Sequence, residues 1–228
     1  MAKVFIGVGH GGKDSGAVAN GLVEKDIALS MALYCKAELV RHGVGVKMSR
    51  ERDEDDRLSE EIRECNAYNP DVAVDVHINS GGGDGFEVFH SRYGGVGKTL
   101  AKNIEEEVKK IGQNSRGLKI RVNDEGRDYF GFIRETKCPA VILEAGFLDS
   151  EDRKIFDEPD EQRRFGVAYA KGILRTLGIA WRPDNDSTVQ AAIDIIRKKA
   201  GLEQQTIDYL LAYRYAKDLV IKLAAAME

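Results

Sequence analysis

Short apolar runs alternate along most of this chain with segments of helical periodicity, and that alternation limits the folds open to it. Lys3 to Val8 reads as a strand, followed by a glycine-rich loop to about Gly21. Glu24 to Arg41 carries Ile27, Met31, Cys35 and Leu39 at helical spacing and stops at Gly43, the residue type that closes a helix. Val44 to Met48 is a short strand, and Asp56 to Tyr68 is helical with Leu58, Ile62 and Cys65 on one face. Val72 to Val76 is almost uninterrupted apolar sequence, the pattern of a strand covered by helices on both faces. A strand at Gly85 to His90, a helix from about Lys98 to Ile111, a strand at Pro139 to Leu143 and a helix from about Glu161 to Leu177 complete the series, which ends at Gly178. The prediction is an α/β domain with a mainly parallel, twisted sheet flanked by helices.

The 228 residues suffice for one good-sized domain and a small appendage. We place a catalytic domain at 1–178, a linker at 179–187 and a small helical domain at 188–228. Trp181 to Asp186 has linker chemistry, one proline in a polar run. Two amphipathic helices follow, about Thr188 to Ala200 and Glu203 to Ala226, broken at Gly201. Val189, Ala192, Ile193 and Ile196 line the first; Ile207, Leu210, Leu211, Leu219 and Leu223 line the second. Such a helical pair buries too little surface to be stable alone, so it is expected to dock, self-associate or bind a partner.

A net charge of −4 argues against a nucleic-acid partner. No segment is long and apolar enough to insert in a membrane, and the apolar run after Lys3 is too short for a signal-peptide core. The expectation is synthesis in a cytoplasm without a signal peptide. Cys35, Cys65 and Cys138 are far apart in sequence and lack paired metal spacing, which reads as buried free thiols.

Within this frame four polar residues stand in suggestive places. His10 lies in Gly9-His10-Gly11-Gly12, where glycines let the backbone approach an ion or substrate closely. A tight turn with an exposed histidine is the alternative. His77 closes an apolar strand as His-Ile-Asn-Ser. Glu144 follows Val141-Ile142-Leu143, where a carboxylate must be paired, metal-bound or partly solvated. Glu24 on its own is what the dipole of a helix N-terminus selects. Because ligands gather at the carboxyl ends of parallel strands, His10, His77 and Glu144 are expected to converge on one edge of the sheet. Two imidazoles and a carboxylate can bind zinc with a position left open, while a second carboxylate moves protons. His42, at a helix C-terminus, and His90, read as ending an outer strand, are poorer candidates.

Gly94-Gly95-Val96-Gly97-Lys98-Thr99 follows a strand and opens a helix, the context of a phosphate-binding loop. The full pattern wants glycine where Arg92 stands, and its deviant form wants lysine where Tyr93 stands. An ATPase built on this loop, with Val72 to Asp75 as its acidic strand, is the minor alternative, and it leaves His10 and His77 unexplained.

Four motifs occur in order: Gly9-His10-Gly11-Gly12-x-Asp14-x-Gly16-Ala17, Gly21-x-x-Glu24, Val76-His77-Ile78-Asn79, and Pro139 to Phe147 with Glu144 at its centre. Over roughly residues 3 to 178 the chain resembles the zinc-dependent N-acetylmuramoyl-L-alanine amidases of the type-3 family. The resemblance implies a six-stranded α/β domain with one zinc ion held by His10, Glu24 and His77, and Glu144 as the catalytic carboxylate. It implies as substrate the amide between the lactyl group of N-acetylmuramic acid and L-alanine in peptidoglycan. Asn79, by its place in the motif, becomes a possible substrate contact.

Two departures from the family pattern stand out. Gly7-Val8 occupies the stretch where an aspartate is common, which would loosen outer support of the metal. Asp149 stands where asparagine is frequent and can serve as the cap of the next helix. A wall hydrolase without an export signal resembles a phage endolysin that acts on the wall after release. A bacterial autolysin or spore-lysis amidase is the competing origin. The C-terminal helices then become a wall-binding or self-association module.

Overall fold

The computed structural model describes residues 1–182, 187–211 and 216–227. The chain divides into two units, Met1–Trp181 and Arg182–Glu228. In the first, chain order gives β1 (Lys3–Val8), β2 (Val18–Ala19), β3 (Leu22–Val23), α1 (Glu24–Arg41), β4 (Gly45–Met48) and α2 (Leu58–Tyr68). Then follow β5 (Val72–Asn79), β6 (Phe86–His90), α3 (Gly95–Lys110), β7 (Ser115–Lys119), α4 (Gly131–Glu135) and β8 (Ala140–Phe147). A 3-10 turn (Glu151–Ile155) and α5 (Pro159–Thr176) end the unit. The second unit holds α6 (Ser187–Ala200), α7 (Gln204–Leu211) and α8 (Ala216–Met227).

Six strands form one sheet in the order β4-β1-β5-β8-β6-β7. Neighbours run parallel except β6 and β8, so β6 and β7 point opposite to the other four. This is the mainly parallel, helix-flanked sheet that the alternation predicts. The period of two along each strand sorts its residues between unequal faces. Val4, Ile6 and Val8, then Val74, Val76 and Ile78, then Val141, Leu143 and Ala145 enter the main core with α1, α3 and α5. Phe5, Ala73 and Ala140 face the other way, onto Ile62 and Cys65 of α2 and Phe132 of α4. Two short helices leave part of that second face open. Gly7, Asp75, His77, Ile142 and Glu144 fall on it by alternation.

Several boundaries differ from the sequence expectation. β5 and β8 run on to Asn79 and Phe147, because Ile78, Ala145 and Phe147 continue the buried alternation across an irregularity in pairing after His77. His77 and Glu144 therefore lie within strands, on a face, rather than at the sheet's edge. The hairpin of β2 and β3 turns on Asn20 and Gly21, both at positive φ. It is too short to register as an apolar period, as are β7 and α4. His90 ends a strand flanked on both sides, not an outer one. Asp149 is not a helix cap. Ser150 caps the 3-10 turn, accepting from the Asp152 amide, while Asp149 accepts from the amides of Gly81 and Gly82. Cys65 and Cys138 are neighbours in space, their sulfurs 3.9 Å apart as free thiols.

In the second unit Val189, Ala192, Ile193 and Ile196 pack with Ile207, Val220 and Ala224. Leu211, expected on the apolar stripe, is 38% exposed. The helix expected over Glu203 to Ala226 is described as α7 and α8, and its residues 212–215 lie outside the described residues. So do residues 183–186 of the expected linker.

On the main face α5 packs against both α1 and α3, and two of its glycines set how closely they approach. A Cβ on Gly166 would stand 2.5 Å from the Met31 carbonyl oxygen, and one on Gly172 would stand 2.5 Å from Ile104 Cα. Glycine to alanine inside a helix ordinarily stabilises. Here the contacts are backbone, and the sign reverses. Gly172→Ala is expected to lower the stability of the catalytic unit by about 1–3 kcal/mol, the usual cost of overpacking. Urea unfolding followed by circular dichroism checks it.

Candidate functional site

The loop leaving β1 carries the first site residue. The Gly9 amide donates to the Val76 carbonyl at 2.9 Å, which holds the loop beside β5. His10 follows in the left-handed region, φ 62°, and Gly11 and Asp14 close the turn with paired backbone hydrogen bonds. Arg50 clamps this loop from beneath. Its buried guanidinium donates to the carbonyls of Val8, Gly9, Lys25 and Arg52. Lys25 adds a bond to the Gly12 carbonyl and an ion pair with Asp53. Sequence reasoning missed both residues, since a charged side chain that binds carbonyls leaves no periodic signature.

Glu24 is the first residue of α1, and its carboxylate reaches four groups. Oε1 accepts from the Ile78 amide at 3.0 Å and lies 3.0 Å from His77 Nδ1. Oε2 accepts from the Ala17 amide at 2.9 Å and lies 3.2 Å from His10 Nε2. One ligand atom from each of His10, Glu24 and His77 falls within 4.8 Å of the others. Gly16 makes room for this meeting: a Cβ there would stand 2.5 Å from the His10 ring and 2.6 Å from Glu24 Oε2.

The outer nitrogens of both imidazoles face carboxylates. His10 Nδ1 is 2.9 Å from Asp14 Oδ2, and His77 Nε2 is 3.2 Å from Asp75 Oδ2. A carboxylate behind each histidine is the arrangement that fixes the tautomer of a metal ligand. It leaves His10 Nε2 and His77 Nδ1 as inward lone pairs. The donor set fits a divalent cation. The looser outer support expected from Gly7 is not what the fold presents, because Asp75, the register partner of Gly7 on β5, stands behind His77.

The charges agree with this reading. Burial alone would push the Glu24 carboxyl up, but hydrogen bonding to His10 and His77 holds it far below the usual carboxylate range. The hydrogen bond to Glu24 raises His10 against the opposing effect of burial. Burial would depress His77, yet the charge of Asp75 and hydrogen bonds to Asp75 and Glu24 carry it well above its ordinary value. These imidazoles hold protons in answer to surplus negative charge, and a bound cation would replace those protons.

Glu144 is the register partner of His77 across β5 and β8. Burial pushes its carboxyl up to about 7, with Glu24, Asp75 and Glu87 adding to the rise and His77 opposing it. Glu87 pairs with Glu144 from the other side, on β6. Arg116 Nε donates to Glu87 at 2.5 Å, and Asn79 Nδ2 lies 3.3 Å from its other oxygen. Asn79 Oδ1 accepts from the Ser80 amide, so this side chain is part of the frame around Glu144. Glu87 was not expected from sequence; its place opposite Glu144 depends on an antiparallel pairing that no local pattern announces.

His10, His77 and Glu144 line one cavity of about 350 Å³. His42 and His90 lie elsewhere, His42 stacked on Trp181 and His90 bonded to the Ser91 carbonyl. The Gly94 to Thr99 loop follows β6, which runs against β8, so it emerges at the opposite end of the sheet from His10. Asp75, which the nucleotide reading would give to magnesium, is engaged with His77. The ATPase alternative is not favoured. Among the described residues no helix is long and apolar enough to cross a membrane.

Comparison with known proteins points the same way. The chain is 33% identical over 226 residues to the N-acetylmuramoyl-L-alanine amidase CwlM of Bacillus licheniformis, covering 95% of this chain and 82% of that one. It is 36% identical over 190 residues to an endolysin of Bacillus phage SPP1, covering 78% and 68%. The catalytic domain of CwlV, an N-acetylmuramoyl-L-alanine amidase from Bacillus (Paenibacillus) polymyxa, superposes with a TM-score of 0.71 at 30% identity, over 79% of this chain and all of that one. The family described as N-acetylmuramoyl-L-alanine amidase matches residues 4–175, which span the sheet and every site residue above, and the chain belongs to that family.

Proposed function

We propose that this chain is a zinc-dependent peptidoglycan amidase, cleaving the bond between the lactyl group of N-acetylmuramic acid and L-alanine of the stem peptide. The observation that carries it is the convergence of His10, Glu24 and His77 with Glu144 paired beside His77. His10, Glu24 and His77 hold the metal. Two nitrogens and one carboxylate oxygen suit zinc, which when bound polarises a carbonyl and acidifies water. Asp14 and Asp75 keep the two imidazoles in the binding tautomer. Glu144 takes a proton from the attacking water and passes it to the departing amine. A carboxyl poised near neutrality is matched to both transfers. Asn79, beyond its bond to Glu87, has a second amide hydrogen with which to contact substrate.

The relatedness to the SPP1 endolysin supports an endolysin-like role, with action on the wall after release from the cytoplasm. The same chemistry serves the bacterial relatives, whose names include a sporulation-specific amidase of Bacillus subtilis. We assign the helices of Arg182–Glu228 to self-association or wall binding. Light scattering of the full chain, with co-sedimentation on insoluble walls, separates the two. A dimer supports the first; a monomer that pellets with walls supports the second; a monomer that stays in solution removes both.

The assignment of Glu144 is tested by Glu144→Gln. That variant is expected to keep its zinc by metal analysis and to lose at least about a thousandfold in release of N-terminal alanine, within the span of general acid–base catalysis. A chelator should abolish turnover of the unaltered chain, and zinc should restore it. Release of reducing sugar ends instead of alanine amino groups would mark a glycosidase.

Glu144 also couples folding to pH. Its folded value, raised to about 7, lies above its unfolded one, so the stabilisation from its neutral form is full at low pH and is lost as pH rises through about 7. Metal-free Glu144→Gln, which cannot ionise, is expected to match the unaltered chain near pH 4.5. At pH 8 it should be more stable by on the order of 2 kcal/mol, after allowance for solvent reaching the cavity. Urea unfolding in chelator across that range measures it.

A further inference from the structure

One wall of the site cavity carries three acidic residues, of which Asp75 pairs through one oxygen with His77. Asp56 Oδ2, Glu61 Oε1 and Asp75 Oδ1 are buried and lack a hydrogen-bond partner among the described residues. All three residues line the cavity that holds His10, His77 and Glu144, and no lysine or arginine lines it. Glu61 is 6% exposed and Asp75 3% exposed. Unpaired carboxyl oxygens at such depth are costly and rare. The nearest arginine, Arg50, spends its guanidinium on backbone carbonyls.

The arrangement is built rather than incidental. Glu61 comes from the first turn of α2 and points over β1 at Gly7. A Cβ on Gly7 would stand 1.9 Å from Glu61 Oε1 and 2.8 Å from Asp75 Oδ1. A side chain at this position would displace both carboxyls from where they stand. The cavity is lined as well by the apolar side chains of Leu58, Phe130 and Phe132.

We propose that this wall binds the side-chain ammonium of a diamino acid of the lysine class in the stem peptide, with its methylenes against the apolar lining. The proposal rests on the amidase reading and specifies the substrate within it. A second metal ion fits less well. Among the described residues only His10, Glu24 and His77 bring three ligand atoms within 4.8 Å of one another, so the acids do not form the tight cluster that one metal ion needs, whereas acceptors around an ammonium stand as much as about 5 Å apart. An ammonium offers three N–H donors to separate acceptors at hydrogen-bond distance. A water brings only two hydrogens to the three acceptor oxygens. A long side chain with an apolar stem and a cationic tip suits a cavity whose lining is both apolar and acidic.

The test uses the full zinc-loaded chain and two soluble muramoyl peptides, one with a free lysine amine and the other acetylated on that amine. The unaltered chain is expected to cleave the free-amine peptide with kcat/KM at least about tenfold higher, the scale of one hydrogen bond to a charged group. Most of the difference should lie in KM. In Glu61→Gln and in Asp56→Asn the ratio should fall to within about threefold, because the free-amine rate drops toward the acetylated one. Equal cleavage of both peptides by the unaltered chain overturns the proposal while leaving the amidase reading intact. So does a full ratio retained in either zinc-loaded variant. Cleavage of neither peptide by the unaltered chain removes the amidase reading and this proposal with it.

Discussion

The carboxylate of Glu24 is the interaction on which the site depends. It joins three parts of the chain: the β1 loop through Ala17 and His10, the start of α1, and β5 through Ile78 and His77. Two backbone amides fix where its oxygens lie. Both histidines are then defined relative to those oxygens. Hydrogen bonds with His10 and His77, and then with the Ala17 amide, favour the charged form of the carboxylate, so the group that a cation requires is held ionised before any cation arrives. The left-handed backbone of His10 belongs to the same design. A strained φ persists only where its surroundings over-determine it, and Arg50 below, Asp14 behind and Glu24 ahead do so.

The unequal covering of the sheet explains why chemistry sits where it does. Three helices seal the face of Val74, Val76 and Leu143, where charge is intolerable. The reverse face has only α2 and α4, and there the strands replace apolar residues with Asp75, His77 and Glu144 at alternate positions. A one-residue slip in β5 would turn these groups into the main core and the valines outward. Register is thus specified doubly, by hydrophobic burial on one face and by ionic cost on the other. The same partial burial raises Glu144 to about 7, since it removes water from the carboxyl by more than the charge of His77 offsets.

Much of this was readable in the residues, and the limits have physical causes. α1 was recognisable to its ends because Ile27, Met31, Cys35 and Leu39 repeat at helical spacing and Gly43 terminates it. β1 was equally plain. The extension of β5 and β8 past the site was not, because His77 and Glu144 interrupt the apolar runs and imitate strand ends. Glu24 illustrates the opposite problem. Locally it has the ordinary role of a helix N-terminus, and only the resemblance singled it out, since its partners lie 14 and 53 residues away in sequence. Arg50, Glu87 and Glu61 had no signal at all. Each acts through a contact set by tertiary placement: carbonyls of another loop, an antiparallel neighbour, and a glycine on a distant strand.

Gly7 shows how a departure from a family pattern can be absorbed rather than suffered. Removing a side chain at this position would ordinarily open a void beside His77. Here the vacated volume is taken from two directions, by Asp75 on the adjacent strand and by Glu61 from α2. Asp75 divides its oxygens between two tasks: Oδ2 orients His77, while Oδ1 faces Glu61 unpaired. The orientation of His77 and the acidic wall of the cavity therefore share one residue. A change at Gly7 that displaced Asp75 would disturb both together. Because Glu61 rides on α2, which also packs Ile62 and Cys65 into the second core, the position of the acidic wall is coupled to the packing of the thinly covered face.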